Sequence, residues 1–181
     1  MEQKLAEPRQ RKLTEHLTVP IQKGRIDSAI LRSDWYKAAG IAGESKSAEV
    51  AEYGVGMLAA AGRWDALRSV ITNGGERAQR EAIDVAVKAR HFEVLSAAID
   101  LEGRGTMRVS HKLSEYARLK ALGEAKKDDV DAAFERKDVT AQRLFIQCAH
   151  PDVAVYAVAR AAEVKDWRLV FLAASRFAPD S

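Results

Sequence analysis

Residues 60–71 read AAGRWDALRSVI, and residues 88–99 read KARHFEVLSAAI, which is nearly the same phrase 28 positions later. In each, a basic residue is followed by an aromatic residue, an acid, a leucine two positions on and a closing isoleucine. A phrase that recurs in this way indicates a repeated structural unit that buries its apolar side only against its neighbours.

Weaker copies of the phrase occur elsewhere, each with a bulky apolar anchor after a short charged or glycine-containing turn. The five anchors are Ile26, Trp64, Phe92, Val139 and Trp167. They are separated by 38, 28, 47 and 28 residues, and spacings of 20–50 residues are typical of stacked helical units. Because the interval of 28 occurs twice, we expect two similar blocks joined by an insertion around residues 102–125.

The composition favours helices over strands. The chain has 181 residues with only four prolines and 7% aromatic residues, and it is rich in Ala, Leu, Arg, Glu and Lys. Alternating Val, Ile and Thr bounded by Asn-Gly or Asp-Gly turns is missing. We therefore predict an all-α protein, an α-solenoid of stacked helix–turn–helix repeats. The predicted helices cover residues 47–61, 76–89, 109–122 and 152–164.

Several boundaries follow from glycine, proline and capping residues. Pro20 and Gly24 are expected to separate a basic N-terminal helix or arm (1–22) from a single helical-repeat domain (23–181). The run 72–75 is expected to end a helix, and its glycines can take positive φ. In the insertion, Ser110 is the expected N-cap of a helix whose buried side includes Leu119.

The segments 59–75 and 86–100 resemble the second-helix half of ankyrin repeats. In that family an Ala-rich stretch, Gly-His or a variant, an acid and a Leu-rich helix ending in glycine recur. The Thr-Pro-Leu-His opening and the steady period of 33 residues are both missing here. The resemblance therefore implies an ankyrin-like or HEAT-like helical-repeat protein, and with it a scaffold that presents a surface to protein partners.

The sequence contains no recognisable catalytic or metal-binding pattern. None of His16, His91, His111 and His150 has the spacing of a metal-ligand motif. The single cysteine, Cys148, is two positions from His150, which places the two on different sides of a helix. We expect a non-enzymatic protein with no catalytic residue, metal or cofactor.

Two groups of residues are candidates for binding a protein partner. Arg104, Arg108, His111 and Lys112 lie in a stretch that contains only one acid, Glu102. They could meet an acidic patch or phosphates, although the solvated start of a helix would look the same. Trp35 and Tyr36 are large aromatics of the kind enriched in interface hot spots; core packing of the first layer is the alternative.

The N-terminal segment is basic. Residues 1–25 contain six basic side chains and three acidic ones, which accounts for the whole formal net charge of +3. Such an arm can bind nucleic acid, and the residues in question are Arg9, Arg11, Lys12, Lys23 and Arg25. A solvated, frayed terminal helix is the other interpretation.

The leading hypothesis is a non-catalytic protein–protein interaction module, an adaptor or inhibitor that occupies a partner's surface. The alternative is a nucleic-acid-binding protein that uses the basic N-terminal segment and the 104–112 cluster. The N-terminus has no apolar core like that of a secretory signal, and no window approaches the roughly 20 apolar residues of a membrane span. With one cysteine, a cytoplasmic location without membrane contact is expected.

Overall fold

A computed structural model of the protein describes residues 7–102 and 107–177. Within these ranges all regular secondary structure is helical. The prediction of an all-α fold is therefore confirmed for the described part of the chain.

The elements follow one another with short connections. In chain order they are α1 (Glu7–Leu31), α2 (Trp35–Glu44), α3 (Ala48–Ala60), α4 (Trp64–Asn73), α5 (Glu76–Lys88), a 3₁₀ helix (Phe92–Leu95), α6 (Ser96–Glu102), α7 (Met107–Glu124), α8 (Lys127–Glu135), α9 (Val139–Cys148), α10 (Pro151–Glu163) and α11 (Trp167–Phe177).

One local structure, which we call the corner, joins five pairs of helices. Each leading helix (α1, α3, α5, α8 or α10) ends two residues before a residue with positive φ, and the trailing helix begins two residues after it. The positive-φ residues are Ser33, Gly62, Arg90, Lys137 and Lys165, with φ between 56° and 66°. The trailing helices are α2, α4, the 3₁₀ helix with α6, α9 and α11.

The same backbone hydrogen bond closes every corner. The residue after the positive-φ position donates its N–H to the carbonyl five residues earlier, at 2.8–2.9 Å. This bond and the left-handed residue together form a Schellman motif, which satisfies a carbonyl at the end of the leading helix. The donors are Asp34, Arg63, His91, Asp138 and Asp166, and the acceptors are Ala29, Leu58, Ala86, Ala133 and Ala161. All five acceptor residues are buried.

Each donor of this bond is also the residue that precedes the trailing helix, and we call it the cap. The Asp34 and Asp138 carboxylates accept hydrogen bonds from the backbone N–H three residues on, at 3.2 and 3.0 Å. Where the cap is basic instead, an acid follows two positions later: Asp65 after Arg63 and Glu93 after His91. Both acids lie in the first turn of the helix that follows, where negative charge suits the dipole.

The corners correct the register of the repeat. Trp64, Phe92, Val139 and Trp167 each begin a trailing helix, but Ile26 lies inside α1 and is not a corner residue. The equivalent residue of the first corner is Trp35, so the first interval is 29 residues instead of 38. The longer interval between Phe92 and Val139 contains the additional helix α7.

The chain folds as two compact units, Met1–Val85 and Ala86–Ser181, and the boundary falls inside α5. In the first unit, the leading helix α1 contacts α3 and the trailing helix α2 contacts α4. In the second unit, α8 likewise contacts α10, and α9 contacts both α6 and α11. We call a leading helix and its trailing helix a hairpin. Within each unit, the leading helices of successive hairpins therefore pack on each other, and so do their trailing helices.

Small residues let the helices of the first unit approach closely. A Cβ on Gly54 of α3 would lie 2.5 Å from the Ala42 Cβ of α2. At the ends of α2 and α4, Gly43 meets Gly74, where a Cβ on Gly43 would lie 3.1 Å from the Gly74 Cα. Gly74 has φ −81° and does not take a positive φ, and this glycine is required by the close approach.

The same polar contact joins leading helices in both units. Tyr53 of α3 donates a hydrogen bond to Asp27 of α1, and Tyr156 of α10 donates one to Asp131 of α8. A lysine four residues before each aspartate lies over the tyrosine ring, 5.1 Å and 5.4 Å from its centroid. This recurrence places the hairpins of the two units in the same internal register.

In the second unit, Phe92 and Phe145 pack edge to face with centroids 5.3 Å apart. The additional helix α7 packs on the 3₁₀ helix, α6 and α9 through a side that includes Leu113 and Ala117. Leu119 is exposed, and Ser110 lies within α7 instead of capping it, so both expectations are wrong.

The predicted break at Pro20 and Gly24 is also wrong, because α1 continues through both residues to Leu31. A proline inside a helix removes one backbone hydrogen bond but need not end the helix when the following turns are held elsewhere. Ile26 and Ala29, on the turns after it, are buried. The domain boundary between residues 22 and 23 stays a prediction.

The corner geometry predicts opposite effects for two alanine substitutions near the end of α3. Gly62 has φ +66°, and no atom lies within 4 Å of the place that an alanine Cβ would take. Gly62→Ala should therefore lower the free energy of unfolding by about 1 kcal/mol through backbone strain alone. Gly56 lies inside α3 with equally open surroundings, so Gly56→Ala should raise it by about 0.5–1 kcal/mol. Urea unfolding measures both.

A reciprocal variant serves as the control for this pair. Lys137 occupies the same backbone position with φ 56°, so Lys137→Gly should relieve strain and stabilise the protein. Equal effects of the Gly62 and Gly56 substitutions would contradict the corner geometry.

Candidate binding groove

A groove of about 330 Å³ lies in the second unit. It crosses three trailing helices, α6, α9 and α11. Its lining residues are Ser96, Ile99, Asp100, Thr140, Arg143, Leu144, Gln147, Arg168 and Leu172. This volume lies at the lower end of the range for sites that hold a small ligand or a few side chains of a peptide.

The corners determine which side chains reach the groove. Thr140 and Arg168 are each the second residue after a corner cap, and Leu144 and Leu172 are each the sixth. Because equivalent residues of successive trailing helices point the same way, they line the groove in a repeated pattern. The groove is therefore a product of the repeat.

The groove combines an apolar floor with a positive rim. Ile99, Leu144 and Leu172 supply the apolar surface, and Leu144 is buried. Arg143 and Arg168 are exposed and outnumber the single acid, Asp100. Guanidinium groups bind carboxylates through paired hydrogen bonds, so this lining suits a segment that carries both apolar and acidic side chains.

The structure brings Trp35 and Tyr36 of the first unit together with the second corner. The Arg63 guanidinium lies over the Trp35 ring, 5.0 Å from its centroid, and forms a two-point ion pair with Asp65 at 2.8 and 3.1 Å. The Tyr36 hydroxyl also donates to Asp65, at 3.3 Å. Trp35 is half-buried and Tyr36 is exposed, and a role of this aromatic pair in partner binding stays a prediction.

These contacts determine the charge state of Asp65. The hydrogen bond from the Arg63 guanidinium, with help from the Ala66 N–H and the Tyr36 hydroxyl, lowers the pKa of the Asp65 carboxyl from 3.8 to about 2. The aspartate is therefore ionised in the folded protein under ordinary conditions. The Tyr36 hydrogen bond to Asp65 and the contact of Arg63 with the Trp35 ring link the first corner to this ion pair of the second, which is a structural role.

The basic cluster predicted at residues 104–112 is only partly described. Arg104 lies outside the described residues, and Arg108 belongs to α7 with a side chain that is also outside them. His111 and Lys112 are exposed on α7, and neither lines the groove. Their role in partner binding stays a prediction.

The basic N-terminal residues lie on α1. Arg9, Arg11 and Lys12 have side chains outside the described part of the chain, whereas Arg25 is exposed. The Lys23 ammonium lies 2.7 Å from a carboxylate oxygen of Glu49 and over the Tyr53 ring. Its charge is thus already engaged within the protein.

The described residues contain no group of three or more His, Cys, Asp or Glu side chains that could hold a metal ion. Burial raises the pKa of the Cys148 thiol, which opposes thiolate formation. No helix in residues 7–102 and 107–177 has the length and apolar character needed to cross a membrane.

No protein-family model matches the chain, and neither a curated protein nor a solved structure does. The helical architecture is compatible with a helical repeat. Membership of the ankyrin or HEAT families stays a prediction.

Sequence reasoning did not find the groove residues Arg143, Arg168 and Leu144. No local motif marks them, because they come from helices that are distant in sequence. The sequence signal that relates them is an offset from the caps: Arg168 shares its offset with Thr140, and Leu144 shares its offset with Leu172.

The lowered pKa of Asp65 predicts a pH-dependent contribution to stability. Because the folded pKa is about 2 and the usual value is 3.8, the Arg63–Asp65 pair stabilises the fold above about pH 4 and loses this effect as the pH falls toward 2. The Asp65 side chain is 45% exposed, so solvent screening limits the contribution to about 1 kcal/mol or less.

The variant Asp65→Asn measures this pH-dependent contribution to stability. Urea unfolding should show the variant less stable than the parent at pH 6, with a difference that shrinks at pH 2.5. An equal difference at both pH values would show that the ionised carboxylate is not what stabilises the corner.

Proposed function

We propose that this protein is a non-catalytic protein–protein interaction module, an adaptor or inhibitor of the helical-repeat type. Within each unit the hairpins stack in the manner of an α-solenoid, and the groove across α6, α9 and α11 receives the partner. The proposal is supported by the repeated corners and by the packing of leading helix on leading helix and trailing helix on trailing helix.

The observation that carries the proposal is the lining of the groove. An apolar floor flanked by Arg143 and Arg168 matches an amphipathic segment with acidic side chains. A helix laid in such a groove contributes its apolar residues at intervals of three and four. Its acidic residues would then meet the arginines in charge-assisted hydrogen bonds.

Nucleic-acid binding is the alternative, and it rests on the sequence. Phosphate contacts require cations that are available to the solvent. Lys23 is already paired with Glu49, so one of the five N-terminal residues named for this role is engaged. The groove, with its apolar floor and two arginines, offers a more specific binding chemistry than the basic N-terminal residues.

The test uses peptides selected from a displayed random library for binding to the whole protein. Calorimetry with a selected acidic, amphipathic peptide should give an affinity that Arg143→Glu weakens about 10-fold or more, because the reversed charge repels acidic side chains. Arg143 is exposed, so the variant should keep the parent's helix content and melting temperature.

Lys112→Glu is the matched control, since it reverses one exposed charge on α7 outside the groove. It should leave the affinity unchanged. If Lys112→Glu abolishes binding and Arg143→Glu does not, the partner binds at the cluster predicted from sequence and the groove proposal is wrong.

A further inference from the structure

The hairpin formed by α10 and α11 exposes four large apolar side chains. They are Val155 (57% exposed), Val164 (54%), Trp167 (57%) and Phe171 (77%). We call this surface the terminal face. Large exposed apolar surfaces of this kind mark interaction sites in soluble proteins.

The register of the corners shows which residues of α8 correspond to the terminal-face residues of α10. Lys127 and Asp131 of α8, eleven and seven residues before the cap Asp138, contact Tyr156 of the next leading helix. The equivalent residues of α10 are Val155 and Ala159. They therefore occupy the positions from which a leading helix contacts the next one.

The trailing helices give the same result. Arg143, the fifth residue after its cap, lies on the side of α9 that shares the groove with Arg168 and Leu172 of α11. Phe171 is the fifth residue after Asp166 and so lies on the corresponding side of α11. Val155 and Phe171 of the terminal face thus lie on the surface that, in the preceding hairpin, is directed toward the next hairpin.

The side chains at these positions change in character at α10 and α11, the last hairpin of the described residues. Lys127, Asp131 and Arg143 are charged, whereas Val155, Ala159 and Phe171 are apolar. A terminal repeat that faces solvent normally has a polar outer surface, which keeps the array soluble. The terminal face has the opposite character, which is that of an interaction site.

We infer that the terminal face pairs with the terminal face of a second copy of this chain, to form a two-fold dimer. Val155, Ala159 and Phe171 carry no formal charge, so two identical faces meet without like-charge repulsion. Around them lie residues of both signs, including Glu163, Lys165 and Arg168, which a two-fold axis can bring opposite one another. A two-fold interface also closes on itself, whereas head-to-tail stacking would continue into fibres.

The shape of the terminal face and the apolar area that it exposes agree with a second copy of the chain as its partner. Phe171 lies one helical turn after Trp167, and Trp167 lines an open depression of about 500 Å³ together with Val164 and Arg168. Each face therefore offers both a projecting ring and a recess. The exposed parts of the two aromatic rings amount to roughly 300 Å², over a third of the about 800 Å² that each partner contributes to a standard interface.

Analytical ultracentrifugation of the full chain tests the dimer. Between about 1 and 500 μM, a range that brackets micromolar dissociation constants, the wild-type protein should pass from monomer to dimer. Phe171→Glu and Phe171→Lys should each weaken the dimer at least about 100-fold, because each buries a pair of like charges. Circular dichroism should show both variants folded, since Phe171 is 77% exposed.

Two further samples show whether like charges at a shared interface cause the loss of the dimer. An equimolar mixture of Phe171→Glu and Phe171→Lys should dimerise again, because opposite charges now share one interface. Leu119→Glu changes another large apolar residue, which is 59% exposed on α7, and it should dimerise like the wild type.

A wild-type protein that stays monomeric throughout the range would overturn the inference and leave the terminal face to a different partner. So would failure of the mixture to dimerise, or loss of the dimer in Leu119→Glu. Because this test changes Phe171 and the groove test changes Arg143, each proposal can fail alone.

Discussion

The fold of this protein depends on one backbone hydrogen bond, made five times. At each corner an N–H reaches back five residues to the carbonyl of a buried residue, and a left-handed residue makes this possible. The bond ends one helix, and its donor residue begins the next. The angle between the two helices of a hairpin and the rotation of each about its axis therefore have a common cause.

The positions that matter for function are set by that constraint. Once the corner fixes a trailing helix, its second and sixth residues face the neighbouring trailing helix, and on α9 and α11 these residues line the groove. Its fifth residue lies toward the next hairpin, which is where Arg143 and Phe171 lie. The groove and the terminal face are thus two consequences of one repeat, and they differ because Arg143 has a following hairpin and Phe171 does not in the described chain.

Much of the fold can be predicted from the sequence, because the recurring aromatic and acid at Trp64 and Phe92 lie close to the corners. The first corner is not evident from the sequence because Ser33, unlike Gly62, gives no compositional sign of positive φ. The same is true of Lys137 and Lys165, whose strain is compensated by the bond they allow. The helix through Pro20 could not be predicted either, since buried contacts of later turns outweigh the lost hydrogen bond.

The sites were harder to predict than the fold. Arg143 and Arg168 come together only when α9 and α11 pack, and nothing local distinguishes them from solvated charges. Lys23 looks available in the sequence, but Glu49 and Tyr53, on a different helix, engage it. Sequence alone shows the charge of a residue but not what lies opposite it.

Amide hydrogen exchange, followed residue by residue with NMR, tests the central claim most directly. If the corner bonds hold the hairpins, the N–H groups of Asp34, Arg63, His91, Asp138 and Asp166 should exchange as slowly as those inside the adjoining helices, although these residues lie between helices. Exchange of these five amides at the rate of an unfolded chain would contradict the account.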